Sequence, residues 1–359
     1  MISRTETWRT VLLPHALEGN IYVRELGSAY RAAGCQVIYG ADNLFEQTVQ
    51  ADVLHLHWPE AFYRWTGHGP LERRAARFIA SIDAYKDSGA KIVWTIHNLT
   101  PHEHPDNKFD RKIYQQVLDR TDLLLHHCPQ SQAALAVLYK IPSDIGQLVA
   151  PHGHYLSYPH GMTREKARAQ LGIQDDAYVF LQFGMLRGYK GLGTLFDAWR
   201  KIRTPNKHLL IAGKYHPATG RYAWREKLHM FRARHTSGIS MHLNSIPQDE
   251  IQVFLAAADC MVLTHSRGLN SGVAVLGMTF GKVVVGPRLG CIEWVLDSGA
   301  NIAYEPGNLN ALVDAMERAP GLDAASSGAP NRAVAASWQW DDMARAVLDH
   351  PAMNFASAS

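Results

Sequence analysis

Residues 178–202 read YVFLQFGMLRGYKGLGTLFDAWRKI. The first six form an apolar run of strand length, FGMLRGYKG is a glycine-punctuated turn carrying Arg187 and Lys190, and residues 193–202 read as a helix. Strand, turn and helix in that order open a βαβ unit, in which the next strand runs parallel to the first. The alternation continues both ways. Downstream, strands at 208–212, 239–243, 260–263 and 282–286 are separated by helices at 224–234, 248–257 and 272–280. Upstream, strands at 10–14, 35–39, 53–57, 91–96 and 123–127 alternate with helices at 20–33, 71–86, 108–119 and 131–138. The pattern breaks at 158–176, a short helix inside polar, Pro- and Gly-bearing sequence. Residues 323–337, rich in Ala, Ser and Gly, read as a connector to a last helix at 340–348. The chain is therefore expected to be α/β throughout: a domain at 1–160, a second at 161–336, and a terminal helix and tail at 337–359.

Composition narrows the function. Of 359 residues, 47% are hydrophobic and 19% charged, enough to bury a sizeable core and unlike a disordered chain. Lysine and arginine number 36 against 33 acidic residues, a surplus too mild for a dedicated nucleic-acid binder. Cys35, Cys128, Cys260 and Cys291 form no CxxC pair, which suits a reducing compartment. The first apolar stretch, 11–13, is too short for a secretory signal, and no run of eighteen apolar residues occurs. These features point to an intracellular protein of two domains. Nineteen histidines stand out; they reflect either compositional drift or a polar site that needs neutral hydrogen-bonding rings near pH 7.

Ligands of open parallel sheets sit beyond the carboxyl ends of the strands. Those ends are polar here: HWPE follows residue 56, HNLTPHEH follows 96, HHCPQS follows 125, GMLRGYKG follows 183, GKYH follows 212 and THSRGLNSG follows 263. Three such ends in each half predict a cleft between the halves.

The strings DVLHLHWPE (52–60), TIHNLTPHE (95–103), HGHY (152–155), FGMLRGYKG (183–191) and NSG before a helix (270–272) resemble those of GT-B glycosyltransferases, in particular the bacterial exopolysaccharide group with β-mannosyltransferase activity. The resemblance implies two facing Rossmann-like domains, the C-terminal one binding a nucleotide-sugar. It implies GDP-mannose as donor, with a UDP-sugar as the alternative and no further cofactor. It also implies a polyprenyl-diphosphate-linked oligosaccharide as acceptor, and hence a cytoplasmic enzyme at the inner face of the membrane. The large retaining families carry two glutamates eight positions apart, which would fall at Gly268 and Leu276 here. Neither is a carboxylate, so inversion is the expected outcome.

Chemistry then assigns roles. Arg187 and Lys190, at a strand-to-helix turn, can oppose the charge that grows on a departing diphosphate without a metal ion. Asn270, Ser271 and Gly272 open a helix whose amides suit the same anion, or simply cap it; Arg267 and His265 are weaker candidates. His97 stands where the resemblance places a donor-sugar contact. Inversion needs a general base from the N-terminal strand ends. Glu60 is the first choice, His57 and Glu103 the alternatives, unless these carboxylates are structural. Residues 102–104 (HEH) and 126–127 (HH) lack zinc-ligand spacing, leaving a metal hydrolase as a distant reading. A sugar-binding protein of the same fold without turnover is another. Residues 71–85, with Arg73, Arg74 and Arg77 beside Phe78, Ile79 and Ile82 and preceded by Phe62, Tyr63 and Trp65, read either as a helix lying on anionic lipid or as an ordinary packed one.

Overall fold

The computed structural model describes residues 9–16, 20–101, 106–216, 223–322 and 327–355. The chain forms two units: Met1–Gly153 together with Gln339–Ser359, and His154–Trp338.

In the first unit the strands are β1 (Thr10–Leu13), β2 (Gln36–Tyr39), β3 (Val53–Leu56), β4 (Lys91–Thr95), β5 (Leu123–His126) and β6 (Gly146–Val149). Helices α1 (Ile21–Ala32), α2 (Ala41–Glu46), α3 (Leu71–Asp87), α4 (Lys108–Leu118) and α5 (Gln130–Leu138) connect them. All pairings are parallel, in the order β2-β1-β3-β4-β5-β6. β3 and β5 are buried along their whole length, as strands covered on both faces must be. The start of α1 is fixed by Asn20, whose side chain accepts from the Val23 amide; Tyr22, Val23, Leu26, Ala29 and Tyr30 then supply a buried stripe. β6 is an edge strand without a buried residue, so it carries no apolar run and the sequence reading passes over it.

The second unit holds α6 (Arg164–Leu171), β7 (Tyr178–Phe183), α7 (Leu192–Trp199), β8 (Lys207–Ala212), α8 (Ala223–Arg234), β9 (Ile239–His242), α9 (Ile251–Ala257), β10 (Cys260–Val262) and α10 (Gly272–Thr279). β11 (Val283–Pro287), α11 (Gly290–Asp297), β12 (Ile302–Tyr304), α12 (Leu309–Arg318) and α13 (Ala329–Ser337) complete it. Its sheet is also parallel, in the order β12-β11-β10-β7-β8-β9. The expected break at 158–176 is tied down by Arg168. This fully buried guanidinium meets Asp259 at 2.7 Å and donates to the carbonyls of Asp175, Ala177 and Ala257. The expected connector at 323–337 needs correction: 329–337 is α13. Its composition hides the reason, which is Asn331, a buried amide that accepts from Ala300 N and donates to Lys282 O.

The last helix, α14 (Trp340–Leu348), belongs to the first unit, where Trp340, Met343, Ala344 and Val347 join the core around Val11, Tyr22, Leu26 and Val53. Among the described residues no helix is long and apolar enough to cross a membrane.

Strand order reverses at β1/β3 in the first sheet and at β7/β10 in the second. A parallel sheet opens a crevice at such switch points, outside the carboxyl ends. His15 and His57 follow β1 and β3; Gly184 and Thr264 follow β7 and β10. Because α14 packs in the first unit's core, Trp340→Ala should lower stability by about 3–5 kcal/mol in urea unfolding. A change below about 1 kcal/mol would show that the helix is not part of that core.

Candidate functional site

At the β7/β10 switch point the backbone is packed too closely for side chains. Gly184 has φ +92°, and a Cβ there would lie 3.2 Å from Val273 Cγ2 and 3.6 Å from Lys190 Nζ. A Cβ on Gly213, at the end of β8, would sit 2.0 Å from Gly184 O. Gly191, at φ +65°, is pressed against Thr264 O in the same way. Hydrogen bonds complete the clamp: Thr264 Oγ1 donates to Lys190 O at 2.6 Å, Ser266 N to Tyr189 O at 2.9 Å, and Leu186 N to Lys214 O at 2.9 Å. A short 3-10 turn, Gly188–Lys190, joins this loop to α7.

The clamp brings two predicted elements together. Lys190 is only 7% exposed. Burial, with the Arg187 charge as a smaller contribution, pulls its pKa from 10.5 down to about 8. No carboxylate pairs with it among the described residues. Val273, in the first turn of α10, flanks Gly184 from the other side. Ser271 is the N-cap of α10 by position, yet its side chain makes no cap hydrogen bond, and Gly272 begins the helix. A buried cation and a side chain from the first turn of a helix thus both lie against a residue without a side chain; a helix N-terminus beside a cation is an arrangement suited to an anion. Arg187 is half-buried, its Nε donating to Met185 Sδ at 3.1 Å. Asn270 is half-buried, His265 buried and Arg267 exposed.

The carboxyl edge of the first unit is aromatic and imidazole-rich. His15, His57, His97, His127 and His152 follow β1, β3, β4, β5 and β6 in turn. Four of the rings pack around Tyr22, whose centroid lies 5.3 Å from His57, 4.6 Å from His97, 5.5 Å from His127 and 5.0 Å from His152, while His15 lies 5.6 Å from His57. His57 Nδ1 and His97 Nε2 share a hydrogen bond of 3.1 Å. Trp58, half-buried, stacks on His97 at 4.1 Å. Burial, reinforced by the neighbouring imidazoles, holds His57 and His97 well below the ordinary 6.5; it brings His15 and His127 to about 3 and His152 to about 4. All five are neutral at pH 7. Among the described residues no group of three or more His, Cys, Asp or Glu side chains is arranged to hold a metal ion.

Glu60 is 1% exposed. Asn98 Nδ2 donates to its Oε1 at 3.0 Å and Tyr114 OH to its Oε2 at 2.6 Å, so the carboxylate also braces the turn that carries His97. Glu103 lies outside the described residues. The apolar side of α3 is packed: Phe78, Ile79 and Ile82 are buried, and Phe62 stacks on Phe78 at 5.0 Å. Of the aromatics before it, Trp65 is 58% exposed. Sequence reasoning missed Gly184 and Gly213, although FGM and AGK place a glycine immediately after each of two strands. It also missed Asn98, Tyr114 and Trp58, for which only proximity to Glu60 and His97 gives a signal.

Residues 177–319 match the sequence family described as "Glycosyl transferases group 1". The second unit thus carries a group 1 glycosyl transferase domain, which contains Arg187, Lys190 and the start of α10. The chain is 29% identical over 258 residues to a GDP-mannose:glycolipid 4-beta-D-mannosyltransferase of Xanthomonas campestris pv. campestris, covering 71% of this chain and 65% of that protein. It is 27% identical over 241 residues to a lipopolysaccharide 1,2-N-acetylglucosaminetransferase of Salmonella typhimurium, covering 65% and 59%. The matches thus span less than two thirds of these relatives. Among solved structures, sucrose-phosphate synthase of Thermosynechococcus elongatus superposes with a TM-score of 0.72 at 18% identity, covering 95% of this chain and 97% of that one. Anabaena HepE in complex with UDP and glucose gives 0.72 at 14% identity, covering 95% and 98%. These likenesses establish the GT-B glycosyltransferase fold.

The buried lysine makes a stability prediction. Between pH 8 and 10.5 the unfolded state holds a proton on this lysine that the folded state has released, so stability rises with pH across that window. Lys190→Met removes the penalty and should raise stability at pH 7 by on the order of 1–3 kcal/mol, a gain that fades by about pH 10.5. A pH-independent difference between the two proteins would mean that Lys190 is not held charged against its surroundings.

Proposed function

We propose that this chain, with a group 1 glycosyl transferase domain in its second unit, transfers a sugar from a nucleotide donor to a lipid-linked oligosaccharide in exopolysaccharide assembly. The observation that carries the reading is the convergence of Lys190 Nζ and the first turn of α10 on Gly184, which supports a diphosphate there. The Xanthomonas relative, by name a GDP-mannose:glycolipid mannosyltransferase, supports GDP-mannose as donor and a glycolipid acceptor, which the motif resemblance narrows to a polyprenyl-diphosphate-linked oligosaccharide. That acceptor would keep the enzyme on the cytoplasmic face of the inner membrane, touching anionic lipid.

The step is an inverting displacement. The acceptor oxygen bonds to the anomeric carbon as the carbon–oxygen bond to the diphosphate breaks, and the acceptor proton passes to a base. Lys190, Arg187 and the α10 amides take up the charge that develops on the departing diphosphate, so no metal ion is required. Side-chain positions 268 and 276 are a glycine and a buried leucine, which supports inversion over a mechanism using a carboxylate pair. Glu60 is the base, oriented by Asn98 and Tyr114. His57, held neutral by burial, is a weaker proton acceptor, and Glu103 is the second carboxylate to test.

A thermal-shift series with GDP-mannose, UDP-glucose and ADP-glucose tests the donor. A ligand at one hundred times its dissociation constant stabilises by about 2.7 kcal/mol, and GDP-mannose should do so most strongly. A preference for UDP-glucose would replace the donor; binding without turnover on a lipid-linked acceptor would indicate a non-catalytic protein. Lys190→Ala should slow transfer on the order of 10²-fold or more, and near-wild-type rates would remove it from the leaving-group site. Glu60→Gln should lower the rate by about 10²–10⁴-fold with donor affinity unchanged within a few-fold. Full activity in Glu60→Gln but not in Glu103→Gln would move the base to Glu103. Proton NMR of the product should show an inverted anomer.

A further inference from the structure

We propose that His57 is a positioning residue that fixes His97 in the tautomer carrying its proton on Nδ1. Two neighbours set the precedent. His127 Nδ1 lies 3.0 Å from Ala150 O and His152 Nδ1 lies 2.8 Å from Gly153 O. A carbonyl oxygen only accepts, so both rings carry their proton on Nδ1. At His127 this leaves Nε2 a bare acceptor, buried and without a hydrogen-bond partner. The same environment holds the His57–His97 pair, both neutral, joined through His57 Nδ1 and His97 Nε2.

Each neutral ring has one N–H, so two arrangements exist. If His97 Nε2–H donated, His57 would keep its proton on Nε2, an atom that is buried and has no hydrogen-bond partner. That leaves an orphan donor. If His57 Nδ1–H donates, the orphan is a bare Nε2 acceptor, the state already present at His127. Buried unpaired N–H groups are the rarer of the two defects. His57 therefore donates, His97 Nε2 accepts, and the His97 proton resides on Nδ1. The pairing is further held by geometry: Trp58 stacks on one side of His97, 15° from parallel, and Tyr22 meets the ring edge-on. His97 Nε2, taken by His57, then cannot serve as a base. That His97 presents its Nδ1–H to a sugar oxygen rests on the proposed function; the tautomer itself does not.

The experiment is nitrogen-15 NMR of the full chain labelled at histidine, with His97 identified by the signal missing from His97→Gln. The expected spectrum shows His97 with a protonated Nδ1 and a bare Nε2; a protonated Nε2 in the wild-type protein overturns the proposal whatever the variants do. His57→Asn keeps an amide donor near the Nδ1 position and should preserve the His97 signature. His57→Phe should convert His97 to the Nε2–H form or to an averaged signal. Identical His97 signals in wild type and His57→Phe would overturn the role of His57. In the transfer assay, kcat should fall on the order of tenfold or more in His57→Phe and recover in His57→Asn. If the NMR pattern holds while both variants transfer normally, the tautomer stands and the sugar contact of His97 falls.

Discussion

The carboxyl end of β7 has no room for a side chain, and the chemistry of the second unit follows from that. Gly184 lies against the Gly213 backbone, Val273 and Lys190. A Cβ there would crowd Val273 Cγ2 at 3.2 Å and touch Lys190 Nζ at 3.6 Å, and the φ of +92° itself favours glycine. The glycine lets a cation and the first turn of a helix approach the same point, while Thr264 and Ser266 hold the following turn from β10. Under the proposed function, holding both groups in place beforehand means that a diphosphate would bind with little rearrangement. The penalty is a lysine held charged in a buried place, its pKa reduced to about 8; sites that bind charge commonly carry such a stability cost.

The first unit solves a different problem at its own switch point. Its edge carries five imidazoles that burial keeps neutral. Neutral rings offer hydrogen bonds without attracting phosphate, which suits hydroxyl-bearing ligands. Their order matters because each buried ring has one proton to place. Backbone carbonyls fix it for His127 and His152, and another histidine fixes it for His97. Glu60 steadies the adjoining turn through Asn98.

Much of the fold was legible in the sequence because parallel strands buried on both faces read as short apolar runs, as VLHL and LLLH do, and their helices carry stripes. The strand-end motifs lie where the sequence order implies, with Lys190, α10 and the histidines all at carboxyl ends. What escaped lacked a local signal. β6 is an edge strand with no apolar run, and α13 is an Ala-rich segment whose place depends on one buried amide, Asn331. The return of α14 to the first unit depends on Trp340 and Met343 finding Tyr22, more than 300 residues earlier in the chain. Basic and apolar alternation in α3 reads the same whether its apolar face meets lipid or protein; here Phe62 and Phe78 fill it from within. The Glu60 bonds to Asn98 and Tyr114 join residues 38 and 54 positions apart, which no motif spacing reveals.

A crystal structure of the protein with GDP bound would show whether the diphosphate sits at Gly184. The expected result is a phosphate oxygen about 3 Å from Lys190 Nζ and another within hydrogen-bond reach of a first-turn amide of α10, above a bare Gly184. A diphosphate held elsewhere, with Lys190 and the α10 amides untouched, would contradict it.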